Sequence, residues 1–236
     1  MNSSTTQVST PPLLHVGIIP DGNRRWCKLQ QKSYRYLLTH WMNVMIQGNL
    51  QSYTKDSFIN LSTIGALSFY VSSIDNTTRQ DGTESLGYEL IRMIHKANLF
   101  TWLRNTQQIN CEIHVIGNRT IIPTDIQHII SQIQEESRQY RDSCIRTIPI
   151  YMAMAYDYKK DLENYGQNHL PDYTRNQPMI DLVIRSGNEQ RLSGFFPIHT
   201  IYSEFSFLSK LWPDITLNDI NNCIQEYKTR HRRFGK

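Results

Sequence analysis

Five short apolar runs, separated by longer segments with helical periodicity, constrain this chain more than any other feature of its sequence. The runs lie at 15–20, 64–71, 111–116, 148–154 and 180–185. Several are apolar at successive positions, as expected for strands that are buried on both faces. Such strands occur in parallel sheets that carry helices on each side. The sequence therefore predicts an α/β fold with a mostly parallel central sheet.

Two of the intervening segments have the spacing of amphipathic helices. The first carries small or apolar side chains on one helical face, at Leu86, Leu90, Met93, Ala97 and Thr101. The second does so at Ile126, Ile129, Ile130 and Ile133. Thr124 and Gln127 precede the second face with the spacing of a capping box, which predicts a helix start there. Residues 159–178 are polar and poorly patterned, and we expect them to form a surface excursion.

Composition excludes several function classes. The four cysteines, at positions 27, 111, 144 and 223, have no metal-ligand spacing, which favours reduced thiols in a cytosolic protein over a zinc site or a disulfide framework. No apolar run approaches the roughly 20 residues of a membrane span. Residues 1–12 have neither a basic start nor an apolar stretch, so they are interpreted as a disordered tail rather than a secretory signal. The net charge of +4 favours anionic partners only weakly.

The end of the first apolar run carries the residues that most directly suggest a ligand site. Asp21, Gly22 and Asn23 follow the predicted strand, and Arg24 and Arg25 come next. Ligands of parallel sheets bind beyond the carboxyl ends of the strands, where a glycine lets backbone N–H groups face an anion. A carboxylate among cations at a phosphate site is suited to Mg²⁺. The alternative is a simple strand-end turn with two solvated arginines.

A second stretch makes the ligand interpretation more specific. Residues 181–214, DLVIRSGNEQRLSGFFPIHTIYSEFSFLSKLWPD, resemble the signature of the cis-prenyltransferases, the undecaprenyl diphosphate synthase family. HVGIIPDGNRRW at 15–26, YVSSIDNTTR at 70–79, VIGNRTIIP at 115–123 and RRFGK at 232–236 resemble further motifs of that family, in the same order. Pro20, RLSG and RRFGK are closer to archaeal members. The resemblance implies one catalytic domain over 13–236, with about six strands, flanking helices and a hydrophobic tunnel.

The resemblance also implies an activity and its site residues. The family condenses isopentenyl diphosphate with an allylic prenyl diphosphate, which gives a longer Z-polyprenyl diphosphate. Asp21 and Asn76 would be catalytic, and Asp21 and Glu204 would hold Mg²⁺. The allylic diphosphate would lie against Gly22, Asn23, Arg24, Arg25, Trp26, Arg35 and His40. A loop between the two main motifs would contribute Ser73, Asp75, Asn76, Thr77 and Arg79. Isopentenyl diphosphate would lie against Arg185, Arg191, Leu192 and Ser193.

The chemistry fits these residue types without reference to a family. A diphosphate leaves readily only when its developing charge is neutralised, and arginine forks and Mg²⁺ do this. Two diphosphates need two cationic clusters, and the clusters at 24–25 and 185–191 supply them. Asn76 is not a base near neutral pH, so it would orient a water or a diphosphate oxygen that takes the proton. Alternatively, Asn76 caps a turn.

The resemblance implies a homodimer in which Arg233 and Gly235 reach the neighbour's isopentenyl diphosphate. From the residues alone, this end would be a solvated basic tail. An apolar product needs an apolar channel, and helices over 86–103 and 41–50 are candidate walls, with ordinary core packing as the alternative. We expect a cytoplasmic protein with peripheral membrane contact through its product, and no nucleic-acid partner.

Several departures from the family pattern bear on the alternatives. Thr77 replaces an aromatic residue, 155–159 and 196–199 differ from the usual motifs, and the short 161–181 stretch is expected to lack a helix. A catalytically silent partner subunit is therefore a competing hypothesis. Such subunits lose the aspartate and arginines that are present here at 21, 185 and 191, which favours an active enzyme. A phosphate- or nucleic-acid-binding module is disfavoured because aromatic residues are not interleaved with the basic ones.

Overall fold

The computed structural model describes residues 13–40, 63–77, 86–96, 98, 101, 104–105, 108–139, 145–167 and 177–233. Its strands are β1 (Leu14–Ile19), β2 (Ile64–Tyr70), β3 (Ile109–Ile116), β4 (Arg146–Ala153), β5 (Leu182–Arg185) and β6 (Glu204–Phe207). Its α-helices are α1 (Asn23–Gln30), α2 (Ile74–Thr77), α3 (Leu86–Lys96), α4 (Thr124–Gln139), α5 (Tyr158–Gly166) and α6 (Leu217–Thr229). Residues 34–40 are also helical, and Arg119–Ile121 and Trp212–Asp214 form 3₁₀ turns.

The six strands form one sheet in the order β3-β4-β2-β1-β5-β6, and every neighbouring pair is parallel. The predicted fold class is therefore confirmed, and the five apolar runs correspond to β1 through β5. The sixth strand was not among those runs. In β6, Phe205 and Phe207 alternate with Glu204 and Ser206, so this edge strand lacks a continuous apolar run.

Each face of the sheet has its own core. On one face, Val16 and Ile18 of β1 pack with Ile220 and Ile224 of α6, while α3 and α4 cover β3 and β4. On the opposite face, strand residues such as Val183 pack with the aromatic pair of the loop between β5 and β6 at positions 195–196. Burial on both faces explains why the central strands are apolar throughout, and it leaves their carboxyl ends available for a ligand.

The predicted apolar faces of two helices can be compared with the buried faces of α3 and α4. The buried side chains of α3 are Tyr88, Ile91 and Ile94, whereas Leu86, Leu90 and Met93 of the predicted face are half-buried. The buried face is therefore rotated from the predicted one, and it lies in the core cluster that α3 shares with α4, β3 and β4. The core face of α4 is confirmed, with Ile126, Ile130 and Ile133 buried and Ile129 half-buried.

The predicted capping box at Thr124 is wrong, because α4 begins at that residue rather than after it. The Gln127 side-chain amide donates instead to the Ile122 carbonyl at 2.7 Å. A capping box is found at the start of α6, where Thr216 and Asp219 satisfy each other's backbone N–H groups.

Most of the described residues within 159–178 are exposed, as a surface excursion predicts. The expectation that the 161–181 stretch lacks a helix is wrong for its first residues, which belong to α5, and the Asp157 side chain caps this helix by accepting from the Lys159 backbone N–H. The helix is fixed by buried Asp161, whose carboxylate accepts a 2.5 Å hydrogen bond from the Tyr156 hydroxyl. The helix has no clear apolar face in the sequence, because the buried residue that it contributes is the polar Asp161.

Several predictions lie partly or wholly outside the described residues. These include the terminal tail at 1–12, the candidate channel wall at 41–50, Arg79, Cys144 and Gly235. Cys27, Cys111 and Cys223 are free and buried. Among the helices that the structure describes, none is long and apolar enough to cross a bilayer.

Candidate active site

The carboxyl ends of β1, β2 and β5 meet at one edge of the sheet, where Ile19 pairs with Arg185. Gly22 has a φ of +106° and caps the start of α1. A Cβ atom on Gly22 would lie 2.8 Å from the Leu211 side chain, so both backbone shape and space require glycine. Asn23 donates to the Pro20 carbonyl at 2.9 Å, and its buried Oδ1 accepts no hydrogen bond from the described residues.

Arg185 is the centre of this edge. Its side chain is almost fully buried, and Nη2 donates to Oδ2 of Asp21 at 2.7 Å. Nη1 donates to the Ser193 hydroxyl at 2.9 Å and to the Arg191 carbonyl. Arg185 Nε is buried without a hydrogen-bond partner among the described residues. One guanidinium thus joins the Asp21 loop to the loop that follows β5.

Glu189 links the two arginine clusters, and sequence reasoning did not assign it a role. Its Oε2 accepts from Arg191 Nη1 at 2.5 Å, and its Oε1 lies 3.8 Å from Arg25 Nη1. Arg25 Nη2 donates to the Gly187 carbonyl at 2.7 Å, and a Cβ atom on Gly187 would lie 2.6 Å from that nitrogen. The sequence could have indicated this role, because Glu189 lies between Arg185 and Arg191 in the same motif.

The loop between β5 and β6 has an unusual backbone. Asn188, Ser193 and Phe196 have φ values of 60°, 52° and 38°, which residues other than glycine rarely adopt. Each such residue costs about 1–3 kcal/mol and persists only where its surroundings hold it. Phe195 and Phe196 supply that support, because both rings are fully buried against the sheet. The loop therefore presents Ser193 and Arg191 in a fixed arrangement.

Asn76 is oriented by Ser73. Asn76 Oδ1 accepts from the Ser73 backbone N–H at 2.8 Å and from the Ser73 hydroxyl at 2.7 Å. Because the backbone N–H is a donor, the atom facing it must be the amide oxygen. The NH₂ group is consequently the end of Asn76 that remains for a ligand, and it can donate to an anionic oxygen.

Tyr70, at the end of β2, ties this turn to the loop after β5. Its hydroxyl donates to the Ser193 carbonyl at 2.9 Å. Burial raises the pKa of Tyr70 to about 12, so the hydroxyl keeps its proton as a donor. Tyr70 begins the 70–79 motif, but nothing in the sequence alone indicated that it would contact residue 193.

Trp26 and His40 are brought together as a packing unit. The Trp26 ring stacks on His40 at 5.6 Å and on Tyr36 at 6.4 Å, and its N–H donates to Asp214 at 2.8 Å. Trp26 is buried. It therefore holds α1 against segment 34–40 and the turn at 212–214.

Arg35 is exposed, and in the described part of the chain no contact joins it to the Asp21 cluster. The helical segment 34–40 turns Tyr36 rather than Arg35 toward Trp26. The structure thus does not bring Arg35 to the site that the sequence predicted for it. The physical reason is the connection between α1 and segment 34–40. Its length determines which residue of that segment faces Trp26.

The remaining predicted residues differ in their surroundings. Arg24, Asp75 and Arg233 are exposed, and Arg233 follows Arg232, which contacts Asp181 before β5 rather than the carboxyl end of that strand. Leu192 packs on the aromatic loop core, and the Thr77 hydroxyl donates to the Ile74 carbonyl at 2.6 Å. Thr77 therefore completes the short helix α2.

The expectation that Asp21 and Glu204 hold one ion is not met within a single chain. Glu204 pairs with Leu182 at the start of β5, whereas Arg185, which contacts Asp21, pairs with Phe207. Three residues along a strand correspond to about 10 Å. The Glu204 carboxylate instead lies 3.2 Å from Arg230 Nη1. No group of three or more His, Cys, Asp or Glu side chains in the described residues could hold a metal ion.

A parallel sheet whose strand ends gather two carboxylates and several arginines defines an α/β protein with a diphosphate-type anion site. A family comparison makes this specific, because the model of the prenyltransferase family of undecaprenyl diphosphate synthases matches residues 19–235. The chain belongs to this family, and it is a prenyltransferase enzyme.

Relatives of known name agree with that assignment. The chain is 33% identical to the tritrans,polycis-undecaprenyl-diphosphate synthase (geranylgeranyl-diphosphate specific) of Aeropyrum pernix, with 94% of this chain and 97% of the relative covered. It is 27% identical to the ditrans,polycis-undecaprenyl-diphosphate synthase ((2E,6E)-farnesyl-diphosphate specific) of Micrococcus luteus, with 94% and 90% covered.

Solved structures share the fold. Lavandulyl diphosphate synthase from Lavandula x intermedia, in complex with dimethylallyl diphosphate, superposes with a TM-score of 0.71 at 23% identity, covering 94% of this chain and 98% of that one. A probable undecaprenyl diphosphate synthase from Campylobacter jejuni gives 0.63 at 21% identity, covering 96% and 100%.

Proposed function

We propose that the edge built around Asp21 and Arg185 carries the cis-prenyl chain elongation of this enzyme. Isopentenyl diphosphate would condense with an allylic prenyl diphosphate, and the product would be a longer Z-polyprenyl diphosphate. The observation that carries the assignment is the Asp21–Arg185 contact of 2.7 Å, flanked by Arg25 and Arg191. Such a cluster can neutralise one diphosphate as it leaves and hold a second one beside it.

The allylic diphosphate is assigned to the start of α1. Gly22 and Asn23 open the helix there, its first turn contains no acidic residue, and Arg24 and Arg25 add positive charge. Backbone N–H groups at a helix start and a guanidinium fork both favour a diphosphate. Arg25, held beside Asp21 and Gly187, would stabilise the charge that develops on the leaving group.

Isopentenyl diphosphate is assigned to the loop after β5, where Arg191 and Ser193 are the ligating side chains. Glu189 lies between Arg191 and Arg25 and contacts both. The two cations thus stand on either side of a single carboxylate. Two diphosphates held that closely would bring their prenyl carbons within bonding reach, which removes much of the entropic barrier.

Proton removal from the new chain is assigned to an oxygen of the bound diphosphate rather than to a side chain. Asn76 presents its NH₂ group because Ser73 occupies its oxygen. The amide would therefore hold the accepting oxygen in place, and it would not take the proton itself.

Mg²⁺ is proposed as the metal, with Asp21 as the protein ligand. Mg²⁺ typically binds through one or two carboxylates together with substrate phosphates and waters. The Asp21 carboxylate fits this pattern, since it is one-third exposed and its Oδ1 lies 3.8 Å from Arg25. When bound, the ion would neutralise charge on the leaving diphosphate. Within one chain, Glu204 is not placed to share that ion.

The growing chain is assigned to the sheet face that carries α3, α4 and α6. Ile109 and Ile150 are half-buried there, and both pack against the core under α3 and α4 and against the core under α6. Half-buried Phe69 packs against the core under α6. These side chains would form the apolar floor of a channel. Helix α3 would supply one wall, as the sequence predicted.

A homodimer is proposed on the edge strand β6. The large side chains Ile201 and Tyr202 are 67% and 60% exposed beside it, and Phe207 in the strand is 40% exposed. A second copy would cover them. We further propose a cytoplasmic location with peripheral membrane contact through the amphipathic product.

The direct test combines purified protein, Mg²⁺, labelled isopentenyl diphosphate and allylic starters, with products sized by chain length. Farnesyl and geranylgeranyl diphosphate are the first starters to compare, because the names of the relatives specify them. We expect elongation with at least one starter, and loss of elongation when Mg²⁺ is chelated. Absence of product with every starter would support a silent partner subunit instead.

A further inference from the structure

The turn formed by Ser193 and Gly194 has a left-handed backbone at both positions, with φ values of 52° and 80°. Glycine adopts this conformation without steric cost, whereas serine does not. The Ser193 hydroxyl nevertheless accepts from Arg185 Nη1 at 2.9 Å, so this conformation is the one that brings the hydroxyl to the site. Other parts of the chain must therefore hold the turn in place.

The ring of Tyr158 packs directly on this turn. A Cβ atom on Gly194 would lie 2.6 Å from Tyr158 Cδ1, 3.1 Å from Cγ and 3.3 Å from Cε1. Neighbouring ring atoms thus occupy the space that a side chain at position 194 would need. Tyr70 holds the same turn through its hydroxyl, which donates to the Ser193 carbonyl at 2.9 Å. The turn is therefore attached to two tyrosines, one at the end of β2 and one at the start of α5.

Tyr158 is itself held in place, because it is the first residue of α5. The Asp157 side chain caps this helix and accepts from the Lys159 backbone N–H at 3.0 Å. The Tyr156 hydroxyl donates to Asp161 at 2.5 Å, which joins the residues before the helix to its first turn. The backbone that carries the ring is thus fixed on both sides, and the position of the ring is set before any ligand binds.

This ring is not part of the buried core. Tyr158 is 37% exposed, whereas Tyr156 is 2% exposed and packs in the core of the sheet face that carries the aromatic loop. Position 158 also lies in the 155–159 stretch that departs from the family pattern, so the resemblance assigned it no role. A partly exposed ring that packs on a strained turn at the site is placed to affect ligand binding more than the stability of the sheet.

We propose that Tyr158 is a positioning residue for isopentenyl diphosphate, because its ring holds the 193–194 turn in the conformation that presents the Ser193 hydroxyl. The inference rests on the proposed function, in which the loop after β5 binds that substrate. A turn that already has its bound conformation loses less entropy when the substrate arrives, so binding is tighter. Without the ring, the turn can leave the left-handed conformation and must return to it at each binding event.

The first test compares Tyr158→Ala with Tyr158→Phe, and the readouts are kcat and KM for both substrates. We expect Tyr158→Ala to raise KM for isopentenyl diphosphate about fivefold or more and to leave KM for the allylic starter unchanged. Tyr158→Phe keeps the ring and should keep both KM values near those of the wild type. Tyr165→Ala is the matched control, since Tyr165 lies on the same helix and is 54% exposed.

Thermal unfolding checks that each variant is folded. If Tyr158→Ala fails to fold, Tyr158→Leu takes its place, because it keeps an apolar side chain but loses the flat ring, and the same selective rise in KM is expected.

The second test measures the contact between the ring and the turn. Gly194→Ala adds a Cβ atom that would overlap the Tyr158 ring, and it also strains a backbone with positive φ. The backbone strain is present with or without the ring, so only the overlap depends on residue 158. We expect Gly194→Ala to raise KM for isopentenyl diphosphate by a smaller factor in the Tyr158→Ala chain than in the wild-type chain. Equal factors would mean that the ring does not hold the turn, which overturns the inference.

Arg191→Ala separates this inference from the proposed function. If Arg191→Ala leaves KM for isopentenyl diphosphate unchanged, or if the wild type elongates no starter, the proposed function fails and the inference fails with it. If Arg191→Ala raises this KM and Tyr158→Ala does not, only the role of Tyr158 is overturned. A similar rise in both KM values for Tyr158→Ala, or an equal loss in Tyr158→Phe, would assign the residue a different role and would also overturn the inference.

Discussion

Arg185 and Asp21, which are 164 positions apart in the chain, share a 2.7 Å hydrogen bond at the carboxyl ends of β5 and β1. Their contact exists because parallel pairing sets Ile19 beside Arg185. The buried guanidinium holds one oxygen of Asp21 and also binds the Ser193 hydroxyl. The residues proposed for the metal and for isopentenyl diphosphate are thus parts of one network.

Asp21→Asn keeps the size of the side chain and removes its charge. We expect turnover to fall by about two to three orders of magnitude, because the leaving diphosphate loses charge stabilisation. Steady-state kinetics with saturating Mg²⁺ is the measurement. Glu135→Gln, which removes an exposed carboxylate on α4, is the control and should keep turnover near the wild-type value. Normal turnover of Asp21→Asn would contradict the proposed mechanism.

Arg191→Ala should separate the two substrates. Arg191 lies in the loop after β5 and contacts Glu189, whereas the allylic site is assigned to the start of α1. We expect KM for isopentenyl diphosphate to rise at least tenfold, with a much smaller change in KM for the allylic starter. Arg138→Ala serves as the surface control. An equal rise for both substrates would remove the two-site assignment.

Asn76→Asp tests whether the amide acts as a donor. The change leaves an oxygen for Ser73 but removes the NH₂ group and adds negative charge beside a diphosphate. We expect kcat to fall about 100-fold or more. Asn118→Asp is the control, since Asn118 caps a 3₁₀ turn through its oxygen, which Asp also provides. If Asn76→Asp were faster than wild type, a carboxylate base would be the better account.

Mixing chains tests whether the tail acts across the dimer. A chain that lacks residues 233–236 keeps its Asp21 site, and a full-length Asp21→Asn chain keeps its tail. Each homodimer should be nearly inactive, and the heterodimer should regain activity in the one site that receives both parts. Differently tagged chains allow heterodimers to be isolated before the assay. Isolated heterodimers without activity would mean that the tail does not act in trans.

His15 predicts a loss of stability in mild acid. The ring is buried and bonded to the Pro178 carbonyl and the Ser68 hydroxyl, and burial lowers its pKa to about 4. Between pH 6.5 and about 4, unfolded His15 is protonated while folded His15 is not. The folded state therefore binds fewer protons, and stability falls as pH falls through this window, by at most about 1.4 kcal/mol per pH unit.

Urea unfolding at several pH values measures this effect. His15→Gln should flatten the dependence between pH 6.5 and 5, although it lowers stability at pH 7. His128→Gln is the control because His128 is exposed on α4, and it should keep the wild-type slope. An unchanged slope in His15→Gln would assign the acid sensitivity to other groups.

Local sequence patterns were sufficient for much of the fold. Strands β1 to β5 were predicted because burial on both faces makes them apolar throughout, whereas β6 was missed because it alternates at the sheet edge. The buried face of α3 was misplaced because apolar spacing alone does not show which side of the helix meets the core that it shares with α4 and the sheet. Helix α5 was missed because the buried residue that it contributes is an aspartate, Asp161, whose carboxylate accepts a hydrogen bond from the Tyr156 hydroxyl.

The family, the order of the motifs and the two cationic clusters can be read from the sequence, since these depend on residues close together in the chain. Which charges meet depends instead on the three-dimensional fold. It joined Asp21 to Arg185, gave Glu204 to Arg230, turned Tyr36 rather than Arg35 toward Trp26, and set Tyr70 against Ser193. The physical reason is that strand register and loop length fix which distant side chains come within hydrogen-bonding distance, and neither can be read from a local pattern.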